Sequence, residues 1–553
     1  MLLALAACLA LLQVAQGQES LESLLRRLPS VAAAGDNGIG GEKETLARSL
    51  REYEALAIPP LLDLLKNGNA RTRELTGYVL RDIRGLKEEH LDALIEARRA
   101  GNGWIPPAIA HIGTPRAIAF LVEDLESRPQ TDTQVTWALR CVGEPAALAL
   151  ARRFAADKPI SEALATCAER VLEDLGEHAV PALDILLQAA ANKELPDANR
   201  SLAAEAIGSI GLPARRTIPA LRALERAEPV LFAEAVERAI LGIGGPEAAE
   251  ILADQLGREP GVCTLRDIAA LRENGFSAGV EVLAVLANSN PDLRVSAART
   301  LGYIGYSPAV DALVRETSNA QDWRLAGAAV ESLGRLRSAR AIPELAWTAA
   351  NYWYPPVRHA ARQALAVIRG TSEYVSRFHS QNFAFEFFDT MDEERRAVRV
   401  VALRDLQPEP DRLHADELAS LSYTIEQRTV KPGCGLKVPG GKLLGANRGE
   451  WGGEIVFQRP DGSQQTVLGE NIESLHRTPN GIIAVTGLAH LSLESGDLYR
   501  IDLRPDGSYE ANWWKRLPGE PSAAGMLADG SLVVSCRGGT VVVTPSGEIR
   551  MAE

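Results

Sequence analysis

A helical repeat array followed by a small all-β domain is the fold class that this 553-residue chain predicts. Three observations carry it. A short word led by Leu or Ile and usually closed by Gly recurs ten times between Leu80 and Leu365, at intervals of 29, 30, 33, 35, 33, 31, 30, 32 and 32 residues. A second word, an aliphatic residue followed by Pro, comes shortly after it in many units. Beyond Lys431 the texture changes to Gly, Pro and alternating β-branched residues, which is the pattern of strands.

The clearest copies of the first word are Leu301-Gly302-Tyr303-Ile304-Gly305, Leu333-Gly334-Arg335-Leu336 and Leu365-Ala366-Val367-Ile368. Ala297, Ala329 and Ala361 hold one equivalent place in them, and Arg294, Ala326 and Arg358 another. Upstream copies lead at Ile240, Ile207, Leu172, Leu139 and Ile109, with weaker ones at Leu271 and Leu80. The second word reads Ile58-Pro59, Val180-Pro181, Ile218-Pro219 and Ile342-Pro343. Proline suits the first turn of a helix, where its missing N–H forfeits no bond. Glycine suits the residue just past a helix end, where φ turns positive. Each unit therefore predicts a helix, a Gly-containing turn and a second helix opened by Pro. Alanine at the seam lets helices approach, and Leu and Ile fill the layer between units. Such a unit cannot bury its apolar face alone, so the units stack into a solenoid in which each touches its neighbours.

On these residues, above all Arg294 to Gly305 (RVSAARTLGYIG), the chain resembles the HEAT repeat family, in the short form named after phycobilisome lyases. The resemblance covers residues 44–370 and implies an α-solenoid of about ten helical hairpins. It implies little about activity, since family members are mostly scaffolds and adaptors. Two enzyme types share the repeat, bilin lyases and deoxyhypusine hydroxylase. The hydroxylase type holds two irons through His-Glu pairs. No His-Glu dipeptide occurs here, only the reversed Glu89-His90 and Glu177-His178.

Residues 2–12 are wholly apolar, and Ala15-Gln16-Gly17 has the small-residue form that a signal peptidase cuts after. Residues 1–17 are therefore expected to be a signal peptide and the mature chain to be exported, to a periplasm or outside the cell. Leu5-Ala6-Ala7-Cys8 has the form of a lipid-attachment box, but seven preceding residues are very few for one, and a lipid anchor at Cys8 is not expected. Residues 18–43 form a lead-in. No other segment approaches the roughly 20 apolar residues that a membrane helix needs. The chain is 46% hydrophobic and 24% charged, with a formal net charge of −13. That balance fits a folded protein and disfavours phosphate-driven binding to nucleic acid.

Residues 371–430 read as a mixed linker, with a helix at 391–406. In 431–553 a shorter repeat opens at Gly441, Gly481 and Gly530, and its second strands lead into Pro-Asp-Gly or Pro-Ser-Gly turns at 460–462, 505–507 and 545–547. The three units read as propeller-like blades. A closed propeller needs four or more, so a small sandwich, or an open stack completed by self-association through this domain, also fits.

Few residues suggest chemistry. Tyr352-Trp353-Tyr354, with Trp347 nearby, is an aromatic run that either anchors a partner or packs structurally. The loop Arg448-Gly449-Glu450-Trp451-Gly452-Gly453-Glu454 gathers an arginine, two carboxylates and an indole among glycines. It reads either as a small-ligand loop or as a tight turn packed by Trp451. GLKVPGGK at 435–442 lacks the first Gly and the final hydroxyl of a phosphate loop, and Gly242-Ile243-Gly244 belongs to a repeat turn. No Cys pair has zinc or thioredoxin spacing, no His pair has ligand spacing, and no Ser or Cys lies in a nucleophile motif. No catalytic, cofactor or metal residue is therefore assigned. Cys434 and Cys536, the cysteines of the β domain, are a candidate disulfide in an oxidising compartment. The leading expectation is an exported scaffold that holds a protein or peptide. A lyase-like enzyme and a small-molecule sensor working through the β domain are the alternatives.

Overall fold

The computed structural model describes residues 19–34, 41–127, 132–374, 401–490 and 493–552. The expected signal peptide, Cys8 included, lies outside them, as does the 391–400 part of the expected linker helix. Residues 401–406 are described and are not helical, which corrects that expectation.

The chain divides into two units, one ending at Ala248 and one beginning at Ala249. In the first unit the helices are α1 (Leu21–Ala33), α2 (Glu42–Arg51), α3 (Ile58–Asn67), α4 (Ala70–Leu80), α5 (Leu91–Arg99), α6 (Pro106–Ile112), α7 (Pro115–Glu126), α8 (Thr133–Val142), α9 (Glu144–Phe154), α10 (Glu162–Leu175), α11 (Leu183–Ala191), α12 (Asp197–Ser209), α13 (Ile218–Ala227) and α14 (Pro229–Ile243); α15 (Pro246–Arg258) crosses the boundary. The second unit continues with α16 (Val262–Ala270), α17 (Gly279–Val285), α18 (Pro291–Tyr303), α19 (Val310–Glu316), α20 (Trp323–Arg335), α21 (Ile342–Asn351) and α22 (Pro355–Ile368).

All ten copies of the first word fall at or near the C-terminal end of a helix, and the Pro-led segments open the second helices, as the sequence predicts. Pro181 differs: it sits in a 3₁₀ turn, Gly176–Ala182, that leads into α11. Side-chain caps set the helix starts. The Asn69 carboxamide accepts the Thr72 N–H at 2.9 Å, and Asp322 accepts those of Arg324 and Leu325 at 3.1 Å. Gly211 (φ 75°) and Gly305 (φ 71°) take the positive φ past the ends of α12 and α18. The lead residues are buried except Leu271 and make the layer between repeats, each stabilising by about 1.5–3 kcal/mol. Small residues set the spacing: a Cβ on Gly208 would lie 2.7 Å from the Ala239 Cα, so α12 and α14 close on each other only over glycine.

The strands form three four-stranded antiparallel meanders and one ribbon. The ribbon is β1 (Tyr423–Ile425) with β2 (Arg428–Val430), preceded by α23 (Ala415–Ser420). Sheet one holds β3 (Cys434–Val438), β4 (Gly441–Asn447), β5 (Gly453–Gln458) and β6 (Gln464–Leu468). Sheet two holds β7 (Ile472–Thr478), β8 (Gly481–His490), β9 (Leu493–Leu503) and β10 (Tyr509–Arg516). Sheet three holds β11 (Pro521–Met526), β12 (Leu532–Cys536), β13 (Gly539–Val543) and β14 (Ile549–Met551). The repeat read from the sequence is the central hairpin of each sheet: β4–β5, β8–β9 and β12–β13.

The sheets stack face to face. Leu436, Leu443 and Phe457 of sheet one meet Leu475, Ala484 and Ile501 of sheet two. The other face of sheet two, with Ile483, Val485 and Leu498, meets Val534, Val541 and Val543 of sheet three. The outer face of sheet one is covered by Leu413, Tyr423 and Val430. Among the described residues no sheet closes on itself. One segment, 401–413, instead laces the stack, touching β13 and then the first strands β11, β7 and β3. Thr540 exchanges hydrogen bonds with the backbone of Val401, Gln407 N–H donates to the Met526 carbonyl at 2.8 Å, Glu409 holds His476 and the Arg477 N–H, and Leu413 N–H donates to the Gly435 carbonyl at 3.0 Å. This strap reaches sheets three, two and one in turn and satisfies edge groups that an open stack would leave bare.

Candidate binding surfaces

In the first unit, second helices of successive hairpins line two grooves, one of them together with the first helix α4. The larger, about 780 Å³, runs between α5, α7 and α9. Ile95, Ile118, Val122, Leu148 and Ala149 make its apolar floor, and Arg99, Arg116, Glu123 and Arg152 its charged rim. The other, about 540 Å³, lies between α3, α4 and α5, where Leu62, Leu65, Ala93 and Ala97 are flanked by Lys66, Arg73, Glu74 and Glu96. The walls are held from beneath. Arg98, buried, donates through Nε to Asp124 of α7 at 2.7 Å and through Nη2 to Asp132, the N-cap of α8. Burial works against ionisation of Asp132, but Arg98 and the Gln134 and Val135 N–H groups outweigh it, and the carboxyl sits below its ordinary range. An apolar floor with a mixed charged rim suits a polypeptide segment better than a small polar molecule. No residue of either groove was singled out from the sequence, because second-helix faces differ from repeat to repeat.

The loop at 448–454 is a built turn. Asn471 holds its first two residues, accepting the Arg448 N–H at 2.9 Å and donating to the Gly449 carbonyl at 2.8 Å, and Arg448 N–H donates to the Gly452 carbonyl at 3.0 Å to close the turn. Glu454 is buried between the Arg448 guanidinium and the Tyr423 hydroxyl, so Arg448 and Glu454 serve the turn. Trp451 stands 74% exposed at its tip, which corrects the expectation of a turn packed by the indole. Glu450 lies beside it, 3.4 Å from His490 Nε2.

Two of the three residues of the aromatic run are buried, and Trp353 is half-buried. Tyr354 is fully buried, edge-to-face on Trp323 at 4.9 Å, with its hydroxyl donating to the Gly538 carbonyl. Tyr352 is buried and donates to the Asn319 carbonyl at 2.6 Å. Trp353 packs on the core between sheets two and three. Trp353 and Tyr354 therefore join the last helices to the β domain, and Tyr352 ties back to the preceding repeat; Trp353 stays half-buried and Trp347, 52% exposed, faces solvent.

Beside them lies a buried charge cluster that local sequence does not reveal. Arg516 of β10 is within 2.9 Å of Asp292, 3.4 Å of Asp497 and 3.7 Å of Asp322. Its N–H donates to the Gln321 carbonyl at 2.8 Å, and Trp323 Nε1 donates to the Leu517 carbonyl at 2.9 Å. Burial pushes Arg324 down to about 10, with the like charge of Arg516 adding to it. Burial raises Asp497 above the ordinary carboxylate range against the pull of Arg516.

His476 also makes a connection of catalytic appearance: Nδ1 is 3.0 Å from Glu409 and Nε2 2.9 Å from the Ser474 hydroxyl. Ser474 lies inside β7 at 7% exposure, and the three side chains are buried together under the strap. The set anchors the strap.

Cys434 and Cys536 are free thiols in different core layers, the first between sheets one and two, the second between sheets two and three. The expected disulfide is therefore not formed. Burial pushes the Cys434 thiol up to about 12 and raises that of Cys536 as well. Among the described residues no cluster of His, Cys, Asp and Glu is arranged to hold a metal, and no helix is long and apolar enough to cross a membrane.

Residues 280–366 match the family model described as HEAT repeats. No curated protein matches the chain. Among solved structures, human deoxyhypusine hydroxylase in complex with glycerol overlaps 46% of this chain and 97% of its own, at 17% identity and a TM-score of 0.19. Importin beta overlaps 68% of this chain and 60% of its own, at 12% identity and a TM-score of 0.37. Only the hairpins of residues 280–366 match that family model; the helices form a solenoid-like array, followed by small antiparallel sheets.

Proposed function

We propose that this protein is a scaffold whose first unit holds a segment of a partner protein in the groove between α5, α7 and α9. The observation that carries the reading is the groove itself: three successive second helices present one apolar floor inside a rim of both charge signs. We further propose that the chain is exported after cleavage behind Gly17, on the strength of its apolar start, and that the three sheets act as an open, propeller-like stack offering a second surface at Trp451. Ala119, exposed on α7, and Ala149, half-buried on α9, line the groove without supporting the core. Affinity capture from cell-envelope extract should recover a specific protein with the mature chain and lose it with Ala119→Arg/Ala149→Arg, whose circular dichroism should match that of the parent. Equal recovery by both chains would place the partner elsewhere.

A further inference from the structure

In two repeats of the second unit an arginine occupies the turn position that other repeats give to glycine. Gly211 and Gly305 stand just past the C-caps of α12 and α18; Arg272 (φ 54°) and Arg337 (φ 49°) stand just past those of α16 and α20. A side chain at positive φ carries a steric cost that glycine avoids. Such strain persists where the surroundings or a function maintain it.

Both side chains line one cavity of about 300 Å³, with Gly302, Tyr303, Arg335 and Tyr374. The guanidinium groups of Arg272 and Arg335 lie over the Tyr303 ring at 4.5 and 4.2 Å, and Arg335 also faces the Tyr374 ring at 4.9 Å. Two carboxylates face these three cations: Glu331, which pairs with Arg335, and Glu373 at the rim. Burial lowers Arg272 from its ordinary value, Tyr303 works against this, and the like charge of Arg335 adds to it. Gly334 makes room for the last wall, since a Cβ there would lie 2.4 Å from the Tyr374 hydroxyl. That hydroxyl is buried without a hydrogen-bond partner among the described residues.

We propose that this cavity binds a small, multiply charged anion, a phosphate ester or a polycarboxylate, clamped by Arg272, Arg335 and Arg337 and hydrogen-bonded by Tyr374. Planar guanidinium groups match both anion types in paired hydrogen bonds, and the stacking on Tyr303 holds two of them in place beforehand. The site lies in a different unit from the peptide groove, so it does not depend on the scaffold reading.

Calorimetric titration of the full mature chain with pyrophosphate, and separately with citrate, tests this at low ionic strength. Saturable one-site binding of either probe is expected; pyrophosphate alone assigns phosphate esters, and citrate alone polycarboxylates. Arg272→Gly and Arg337→Gly should each weaken binding about tenfold or more, the loss of one charge-assisted pair. The same substitutions should raise the melting temperature by about 2–4 °C, because the strain is relieved. Tyr374→Phe should weaken binding several-fold. The proposal is overturned by any of three results: no saturable binding of either probe at millimolar concentration, unchanged affinity in both glycine variants, or lost binding together with a lowered melting temperature, which would mark the arginines as structural.

Discussion

Replacing Arg516 by Met tests how the last helices and the sheets are held in one unit. Arg516 is 1% exposed and has three aspartates within 3.7 Å, of which Asp322 is itself fully buried. Methionine keeps most of the volume but leaves Asp292, Asp322 and Asp497 facing one another with less positive charge. Removing one partner of a buried ion pair typically costs 3–5 kcal/mol, because the remaining charges stay desolvated. A loss of about 4 kcal/mol is therefore expected at pH 7. Asp497 adds a pH signature. Its carboxyl is raised in the folded protein, so it contributes stability fully below its unfolded value and loses that contribution as pH rises through the folded one. Without Arg516 the rise is larger, so the deficit of the variant should shrink as pH falls from 7 toward 4. Hydrogen exchange of the β9 and β10 amides as a function of urea reads the opening free energy of this unit. Adding Asp322→Asn to Arg516→Met should restore part of the loss. A loss under about 1 kcal/mol at pH 7, or one that does not change with pH, refutes the reasoning.

Other outcomes can be checked more simply. In the first unit Asp132 is held below its ordinary value in the fold, so its contribution is complete above the unfolded value and disappears as pH falls through that value and below it. Asp132→Asn should therefore flatten the acid limb of the melting profile. Gly208→Val puts a branched side chain where even a Cβ meets the Ala239 backbone at 2.7 Å, and denaturant titration should show a loss of about 1–3 kcal/mol. Thiol titration of the native chain with an aromatic disulfide should modify Cys141 and Cys263, which are exposed, and leave Cys167, Cys434 and Cys536 until the protein is unfolded. A rapid reaction at Cys434 would contradict its burial.

Much of the architecture was legible because it repeats. Leu301, Leu333 and Leu365 recur at one spacing because each fills the same inter-repeat layer, and Gly305 recurs as Gly211 because the same turn needs positive φ. In the β domain the central hairpins were legible and the outer strands were not. β8 opens on Ile-Ile-Ala-Val between two cores and β12 (LVVSC) is buried throughout, whereas β6 (QQTVL) and β10 (YEANWWKR) carry the polar residues of an edge. The strap at 401–413 has no strand alternation, because its bonds go to three different sheets. Site reading fared worse for a related reason. For Tyr352-Trp353-Tyr354 the sequence leaves a partner anchor and structural packing both open, and the second holds because Tyr354 reaches Gly538, 184 positions away, which nothing in its own repeat indicates. Asp292, Asp322, Asp497 and Arg516 are ordinary surface letters in sequence, and only the fold brings them together. Arg337 stands where the preceding repeat has Gly305, and nothing local says where its side chain goes.

The measurement that bears most directly on the scaffold account is site-specific photocrosslinking from Ala119 and Ala149 in the groove, with Trp137 on α8 as the exposed control outside it. Benzoylphenylalanine placed at each position in turn, in cells making the full chain, would be followed by mass spectrometry of the adducts. The account predicts that Ala119 and Ala149 capture the same short segment of one protein and that Trp137 does not. Adducts that are equal at all three positions, or absent from the two groove positions, would contradict it.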